Sequence, residues 1–308
     1  MTSAGLLTVR AQLQRGRLQD LEVILKRPSV TRLFIGQLPD AVVKTVPYLF
    51  TLCAHAQRAA AQAAVVAAQN EAPRAADAVE LWVEVLHENL WRLLLDWPPA
   101  LGLHSAKEAF IAWRNARQSD EFLAITQRLL HDTLRPLADK CLEILVGRTT
   151  EEVVPELACQ KTTRAVVLAP EPWLAYWQGT ASEMPGMPRP ATIRSVFQAR
   201  LAEVNWAAEA LASGAAFPIA MAGGDGWGVG QTMTARGVLT HAVHIIDGKV
   251  ANYRVQAPTD DFFSDAAALS SLLGNLEFAS LDQAKQVLNR AILALDPCLP
   301  FVVELNDA

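Results

Sequence analysis

An alanine-rich stretch places the strongest constraint on how this chain can fold. Between Cys53 and Gln69 the sequence reads AHAQRAAAQAAVVAA. Alanine has the highest intrinsic helix propensity of all residues, and its small side chain lets a neighbouring element approach closely. We therefore predict a long helix that starts at Cys53, runs to about Gln69 and packs tightly against neighbouring helices.

Apolar residues at helical spacing predict further helices along most of the remaining chain. Asp40, Ser105 and Asp120 are residues that commonly cap a helix start, and Trp97-Pro98-Pro99 is expected to end a helix. The predicted helices cover residues 40–50, 75–96, 105–117, 120–146, 192–213, 265–273 and 281–295. The proline-rich segment of about 149–190 has no sustained period, so we predict loop with short elements there.

Two β-hairpins are also predicted. Residues 6–26, within a hairpin region of about 5–27, alternate between apolar and polar around Arg15-Gly16, and residues 237–256 surround the turn signal Asp247-Gly248. The glycine-rich stretch 222–230 lacks the spacing and context of a nucleotide-binding loop, so we predict a plain loop. The expected fold class is mainly α with small β-hairpins (α+β), in a single domain over residues 1–308.

Composition and charge narrow the functional classes. Apolar residues make up 51% of the chain and charged residues 19%, which is typical of a globular protein. A net charge of −5 argues against a nucleic-acid-binding surface. We find no apolar run long enough to span a membrane and no export-signal pattern at the N-terminus. Four widely spaced cysteines do not form a disulfide framework, so we expect a reducing, cytoplasmic location.

Two of these cysteines stand at predicted helix ends. Cys53 starts the alanine-rich helix, and Cys298 follows Asp296-Pro297, where the proline ends the last helix. A thiol at a fixed helix end can be aimed at a ligand. Free cysteine is also among the most buried residue types and often serves as a small apolar side chain. Position in the sequence leaves both interpretations open.

Several short segments, in order, resemble the large subunits of nickel–iron hydrogenases. Asp296-Pro297-Cys298 is similar to that family's C-terminal metal motif, Asp-Pro-Cys-x-x-Cys-x-x-His. Residues 48–57 (YLFTLCAHAQ) resemble its N-terminal motif, Arg-x-Cys-Gly-x-Cys-x-x-x-His, and residues 235–241 (ARGVLTH) resemble its Ala-Pro-Arg-Gly segment. The similarity continues into residues 245–253 and Ala257-Pro258-Thr259. It implies a large-subunit-like fold with a central helix bundle.

The same resemblance shows which metal ligands this chain has lost. Phe50 and Phe301 stand where the family has two of its four metal-binding cysteines, and Gln57 and Glu304 replace two histidines. Glu304 is expected to be a solvated residue rather than an oxygen ligand. Residues 10–13 lack the glutamate that moves protons in the enzymes. The chain therefore resembles a non-catalytic relative, a hydrogenase assembly protein of the HupK/HoxV type, and we do not expect an enzyme.

The resemblance implies a scaffold or chaperone role in hydrogenase maturation. The cargo would be iron with two cyanides and one carbon monoxide, bound transiently and without nickel. Its expected ligands are Cys53 and Cys298, since soft thiolates suit such iron. Arg236, Pro258 and Thr259 match the pocket around the cyanides and the carbonyl. Expected partners are an upstream assembly complex, consisting of a small chaperone and an iron–sulfur maturation protein, and the large-subunit precursor.

Two alternatives stay open at this point. The cysteine that matches Cys298 in the family contacts only nickel, so either Cys298 shifts to bind iron or iron is held by Cys53 and a non-protein ligand. The protein could also work without metal, by docking to or protecting the hydrogenase large subunit or its maturation complex.

The other candidate side chains are expected to be structural. His55 is expected at the surface or in the core, Cys141 inside a helix core, and Cys159 carries no mark of reactivity. His241 and His244 point to opposite faces of one strand, so they cannot line one site together. The tryptophans expected in the core are Trp82, Trp91, Trp97 and Trp113.

Overall fold

A computed structural model of the protein describes residues 5–146, 167–186, 188–274 and 276–307. The fold is helical with two small sheets, which confirms the expected fold class. The strands are β1 (Leu6–Gln14), β2 (Arg17–Lys26), β3 (Ile219–Gly224), β4 (Trp227–Thr234), β5 (Gly237–Ile246), β6 (Lys249–Gln256) and β7 (Phe301–Asp307). The helices are α1 (Pro39–Leu49), α2 (Ala54–Ala68), α3 (Ala78–Trp91), α4 (Trp97–Ala100), α5 (Lys107–Asn115), α6 (Phe122–Arg128), α7 (Arg135–Val146), α8 (Pro170–Gln178), α9 (Ile193–Ser213), α10 (Pro258–Phe263), α11 (Ala267–Leu273) and α12 (Leu281–Leu295).

The first sheet joins the two ends of the chain in the order β2-β1-β7. β1 and β2 form the predicted hairpin, and its turn residues Arg15 and Gly16 have φ angles of 50° and 76°, as a tight hairpin turn requires. β7 pairs in parallel with β1, with Leu7 opposite Phe301. The sequence did not predict β7, because its partner lies at the far end of the chain. This strand anchors the segment that follows Cys298.

The second sheet shows that the predicted glycine-rich loop is wrong. β3 and β4 form a hairpin around Asp225 and Gly226, whose φ angles are 54° and 75°. β5 and β6 follow as predicted, and the antiparallel order is β3-β4-β5-β6. Glycine is depleted in strands, which is why residues 222–230 resemble a loop in sequence. The reason that glycine stands in this strand is the helix packed on it.

The alanine-rich helix α2 lies on this sheet. A Cβ atom built on Gly228 would collide with the backbone of Ala64, and one built on Gly230 would collide with the backbone of Ala60. Glycine on the strand and alanine on the helix therefore let the two backbones approach closely. The expected close packing is present, but a strand rather than a helix is the nearest neighbour. This contact fixes α2 and the position of Cys53 at its start.

The other helices enclose the larger part of the core. α9 packs against both α3 and α12, and the buried aromatic side chains around them include Trp82, Trp97 and Trp113. Trp91 is different, since it is 41% exposed. The expectation that Trp91 lies in the core is therefore wrong, because the last turn of α3 directs it outward.

Two π-helical turns interrupt the predicted helical segments. These cover Arg92–Asp96 and Leu129–Leu134, and helical geometry resumes directly after each of them. Pro98 is tolerated because it lies in the first turn of α4, where its missing N–H donor is not needed. The helix predicted to end at Trp97-Pro98-Pro99 thus continues to Ala100.

Several predicted boundaries shift by a few residues. Asp40 and Ser105 do not cap helices, because α1 starts at Pro39 after Leu38 and α5 starts at Lys107 after Ala106. The proline-rich segment 149–190 lies partly outside the described residues, and its described part contains α8. Among the described helices, none combines the length and hydrophobicity of a bilayer-spanning segment.

Candidate functional site

The two cysteines at helix ends lie near each other in the fold. Cys53 is the residue before α2, and Cys298 lies in the turn between α12 and β7. Both side chains are half-buried. Burial is the main reason why the pKa of the Cys53 thiol rises to about 12, and a charge on Cys298 adds to that rise. The two sulfur atoms are therefore close enough for a charge on Cys298 to affect the pKa of Cys53.

The start of α2 is held by a carboxylate from α3. Glu84 accepts hydrogen bonds from the backbone N–H groups of His55 (2.8 Å) and Ala56 (2.9 Å), which satisfies donors that the first helical turn leaves free. Burial raises the pKa of Glu84 to about 7. Besides burial, the positive charge of Arg236 lowers the pKa of Cys53 and the negative charge of Glu84 raises it.

A chain of hydrogen bonds runs through the interior to Cys53. The Nδ1 atom of His241 lies 2.7 Å from the Tyr253 hydroxyl, and its Nε2 atom lies 2.8 Å from Oε1 of Gln57. Gln57 in turn donates from Nε2 to the Cys53 sulfur at 3.5 Å. Burial lowers the pKa of His241 to about 3, so the ring is neutral and carries a single N–H. Because Oε1 of Gln57 can only accept a hydrogen bond, the N–H is on Nε2, and Nδ1 accepts from the Tyr253 hydroxyl. The hydrogen bonds donated by Tyr253, His241 and Gln57 therefore all run in one direction, towards Cys53.

Cys298 is held by different partners. Its sulfur accepts a hydrogen bond from Nη2 of Arg27 at 2.9 Å and another from the hydroxyl of Thr259 at 3.3 Å. The backbone N–H of Cys298 donates back to the Thr259 oxygen at 3.1 Å. Thr259 is buried beside Pro258 in the first turn of α10.

Arg236 has one donor without a partner. Its Nε atom donates to the backbone carbonyl of Asp296 (3.1 Å), and its Nη2 atom donates to Glu88 (2.8 Å). The third nitrogen, Nη1, is buried and has no hydrogen-bond partner. A buried unpaired donor costs free energy on the order of 1–3 kcal/mol. Its presence therefore indicates that an acceptor belongs in the site.

Asp296 is the centre of a buried charge cluster. Its carboxylate lies 2.7 Å from Arg92, 3.1 Å from Arg200 and 3.4 Å from Arg236. Burial would raise the pKa of Asp296, but these three guanidinium groups outweigh it and hold the pKa below its usual value. Asp296 also ends α12 with a φ of 50°. It thereby links the orientation of Arg236 to the turn that carries Cys298.

A surface opening leads to the site. A cavity of about 460 Å³ is lined by Leu52, Arg92, Asp296, Cys298 and Phe301, among other residues. Cys298 therefore faces the opening. Leu52 at its edge is 46% exposed. An incoming molecule can reach the Cys298 sulfur from this side.

The residues predicted to be structural occupy the expected surroundings. His55 is exposed and lies 3.7 Å from Glu80. Cys141 is fully buried in α7. His244 stacks on Trp227 with ring centroids 4.5 Å apart, while the buried His241 points to the other face of β5. Cys159 lies outside the described residues.

Glu304 is engaged in a surface ion pair. Its carboxylate lies 2.6 Å from Arg10, and both side chains are about half exposed. It is thus a surface residue, as expected. In the described ranges, no group of three or more His, Cys, Asp or Glu side chains is arranged to hold a metal ion.

Several residues around the two sulfur atoms were not predicted from the sequence. Arg27 follows a strand and reaches Cys298 across the fold. Glu84 and Glu88 are carboxylates one turn apart on α3 and reach α2 and Arg236. Two acidic residues at helical spacing in an otherwise apolar pattern are a usable signal, whereas nothing local marks Arg27.

Curated proteins of similar sequence carry hydrogenase expression/formation names. Hydrogenase expression/formation protein HupK of Azotobacter vinelandii is 30% identical, and the alignment covers 99% of this chain and 100% of the relative. Hydrogenase expression/formation protein HoxV of Cupriavidus necator is 26% identical over 100% of this chain and 98% of the relative. No family model matches the chain.

Solved structures show the same fold at low sequence identity. The Ni-Fe-Se hydrogenase from D. vulgaris Hildenborough in the reduced state matches with a TM-score of 0.59 and 13% identity, over 92% of this chain and 94% of that one. An NAD+-reducing [NiFe]-hydrogenase in the H2-reduced state matches with a TM-score of 0.51 and 14% identity, over 92% and 93%. The chain belongs to the HupK/HupV/HoxV family of hydrogenase expression/formation proteins and has the fold of the nickel–iron hydrogenase large subunit.

Proposed function

We propose that this protein is a scaffold in nickel–iron hydrogenase maturation, which carries an iron with two cyanides and one carbon monoxide between Cys53 and Cys298. It would receive this iron from an upstream assembly complex, made of a small chaperone and an iron–sulfur maturation protein. It would pass the iron on to the large-subunit precursor. On this proposal the chain binds no nickel and catalyses no reaction, and it acts in the cytoplasm.

The donor set supports this cargo. Two thiolates supply soft ligands, which low-spin iron prefers. Together with three diatomic ligands they make iron five-coordinate and leave one position open. An open position suits a carrier, because an incoming ligand from the recipient can bind before the old bonds break. The cavity beside Cys298 gives such a ligand a way in.

The unpaired Nη1 of Arg236 is the observation that carries the proposal. A cyanide nitrogen is a hydrogen-bond acceptor, and a guanidinium donor gives it a charge-assisted bond. Arg236 is fixed by Asp296 and Glu88 and is close enough to Cys53 to lower the pKa of that thiol. A cyanide on iron bound to Cys53 would satisfy the free donor. Thr259 adds a polar group at the second thiol, where its hydroxyl donates to the Cys298 sulfur.

The lost ligands also support an iron-only cargo. Phe301 starts an exposed strand, and Glu304 is paired with Arg10. Gln57 serves as the last donor of the hydrogen-bond chain to Cys53. The positions that match lost residues of the family's metal motifs are thus used for pairing and packing.

The metal content of purified protein tests the proposal. The chain would be produced together with the hydrogenase assembly machinery and purified without oxygen. We expect about one iron per chain in the wild type, and a loss of most of it in Cys53→Ala and Cys298→Ala. Cys141→Ala is the matched control, since that thiol is buried away from the site, and it should keep its iron. Wild-type protein with no more iron than Cys53→Ala would contradict the proposal.

The alternative is a metal-free docking or protective protein. Exposed apolar side chains in the segment that leads to Cys53 favour it, because Leu38, Tyr48 and Leu52 are 63%, 78% and 46% exposed, and such side chains often mark contacts with a partner. Hydrogenase maturation in cells that carry Cys53→Ala separates the two functions. Maturation at the wild-type level would favour docking, whereas its loss in a folded variant would favour the iron scaffold.

A further inference from the structure

Arg27 makes an unusual contact with the half-buried sulfur of Cys298. One arm of its guanidinium group donates to the Cys298 sulfur at 2.9 Å, and the other lies 3.3 Å from the carboxylate of Asp260. Asp260 in turn accepts a hydrogen bond from the backbone N–H of Ala257 at 3.0 Å, at the start of α10. Because a guanidinium group is planar and rigid, its grip on Asp260 fixes the direction of the arm that reaches Cys298.

The sulfur of Cys298 therefore has two of its electron pairs occupied. Arg27 and Thr259 both donate to it. A thiolate sulfur that accepts two hydrogen bonds keeps a single lone pair for a metal. A sulfur in that state can be a terminal ligand of one metal, but it cannot bridge two.

The positive charge of Arg27 also restricts which metal ions can bind to Cys298. A guanidinium group stays protonated at any physiological pH, so a positive charge lies in direct contact with the sulfur. A free divalent ion that approaches Cys298 meets this charge at close range and is repelled. Iron with two cyanides is affected far less, because the two anionic ligands offset the charge of the metal.

We propose that Arg27 is a specificity-determining residue, which limits Cys298 to a single metal and rejects free divalent transition-metal ions such as nickel. This inference rests on the proposed iron-scaffold function, since it explains how the same thiols accept that cargo. It assigns Arg27 an effect on Cys298 rather than contact with the cargo itself. A merely structural Arg27 would brace β2 against α10 and leave metal preference unchanged.

Cobalt titration of metal-free protein tests this inference. Free Co²⁺ is the probe, and the thiolate-to-cobalt charge-transfer absorption reports its binding to sulfur. We expect Arg27→Gln, which removes the charge, to bind Co²⁺ at least about tenfold more tightly than the wild type. Arg27→Lys keeps the charge and should stay as weak as the wild type. Arg32→Gln is the control for the loss of one positive charge, because Arg32 is an exposed arginine five positions further along the chain, and it should change nothing.

The double variant Arg27→Gln/Cys298→Ala shows whether the effect runs through the sulfur. The gain in affinity should disappear in it. Equal Co²⁺ affinity in the wild type and Arg27→Gln, with matched circular dichroism and melting temperature, would overturn the inference. So would absence of the charge-transfer band from both proteins, or a gain that survives in the double variant.

The titration also separates this inference from the proposed function. It needs no iron, so it decides the effect of Arg27 even in protein that was never loaded. An iron content that fails to depend on Cys53 would remove the scaffold function but leave the cobalt result standing. A normal iron content together with an unchanged cobalt affinity would remove only the role of Arg27.

Discussion

The surroundings of Cys53 and those of Cys298 are built in different ways. Cys53 sits at the start of a helix that is locked onto a glycine-bearing strand, and an uncharged hydrogen-bond chain ends on its sulfur. Cys298 lies in a turn beside an opening, and charged side chains hold that turn from several directions. We infer that Cys53 is the fixed anchor of the site and Cys298 is the accessible ligand. Substitutions that alter packing should therefore disturb the region of Cys53, and substitutions that remove a charge should disturb the region of Cys298.

Asp296→Asn should give the largest effect, in the charged region. It leaves the buried Arg200 and Arg236 and the partly buried Arg92 without their shared counter-charge, and breaking a buried ion pair from one side costs about 3–5 kcal/mol of the free energy of unfolding. Chemical denaturation measures this loss. Asp282→Asn removes an exposed charge from the same helix and should cost about 0.5 kcal/mol. Equal effects of the two variants would show that the cluster does not hold the turn.

Gly230→Ala should give the next largest effect, in the packing region. The added methyl group collides with the backbone of Ala60, and overpacking of this kind costs about 1–3 kcal/mol. Gly224→Ala lies in the same sheet with only ordinary contact to Gln178, so it should be close to neutral. Thermal unfolding of both variants checks this difference. If Gly230→Ala left the melting temperature unchanged, the contact between α2 and β4 would not fix Cys53 as rigidly as we infer.

Glu84, in the region of Cys53, should make the stability of the protein depend on pH. Burial raises the pKa of Glu84 from 4.5 to about 7, so between these values the folded protein binds a proton that the unfolded chain has released. Stability should therefore fall as pH rises through this window. We expect a fall on the order of 1–2 kcal/mol, because solvent still reaches this half-buried side chain. Glu84→Gln should remove this part of the pH dependence of the free energy of unfolding, and an unchanged slope would contradict it.

Gln57→Leu should have an effect on stability comparable to those of the two preceding changes, and a clear spectroscopic effect. It leaves a buried donor of His241 unpaired, which costs about 1–3 kcal/mol. The Cys53 sulfur also loses a hydrogen bond and becomes a stronger electron donor. In iron-loaded protein the carbonyl stretching band should therefore move to lower frequency. Gln62→Leu, on the same helix, should leave the band in place.

Glu304→Gln should have the smallest effect. Its ion pair with Arg10 is exposed, and such pairs contribute about 0–1 kcal/mol. Iron content should stay at the wild-type level, since this carboxylate is engaged on the sheet surface. A loss of iron in Glu304→Gln would mean that Glu304 is a ligand, contrary to the present account.

The sequence predicts the locally encoded parts of the molecule well. The turns at Arg15-Gly16 and Asp247-Gly248, and the start of α2 at Cys53, follow from residues that are neighbours in the chain. Motif resemblance identifies Cys53, Cys298, Arg236 and Thr259, and the structure places them around one site.

The parts that escaped prediction depend on contacts between distant segments. β7 is a strand only because β1 is available beside it. Residues 222–230 form strands because an alanine-rich helix can lie against their glycines. Arg27 reaches Cys298 only once β2 and α10 are in place. Periodicity and propensity describe single segments, so they carry no information on such pairings.

Infrared spectroscopy of anaerobically purified protein tests the central claim most directly. It records the region in which metal-bound cyanide and carbonyl stretches absorb, in protein co-produced with the assembly machinery. We expect two cyanide bands and one carbonyl band, which disappear in Cys53→Ala and in Cys298→Ala and persist in Cys141→Ala. Absence of these bands from the wild type, or bands that survive the loss of both Cys53 and Cys298, would contradict it.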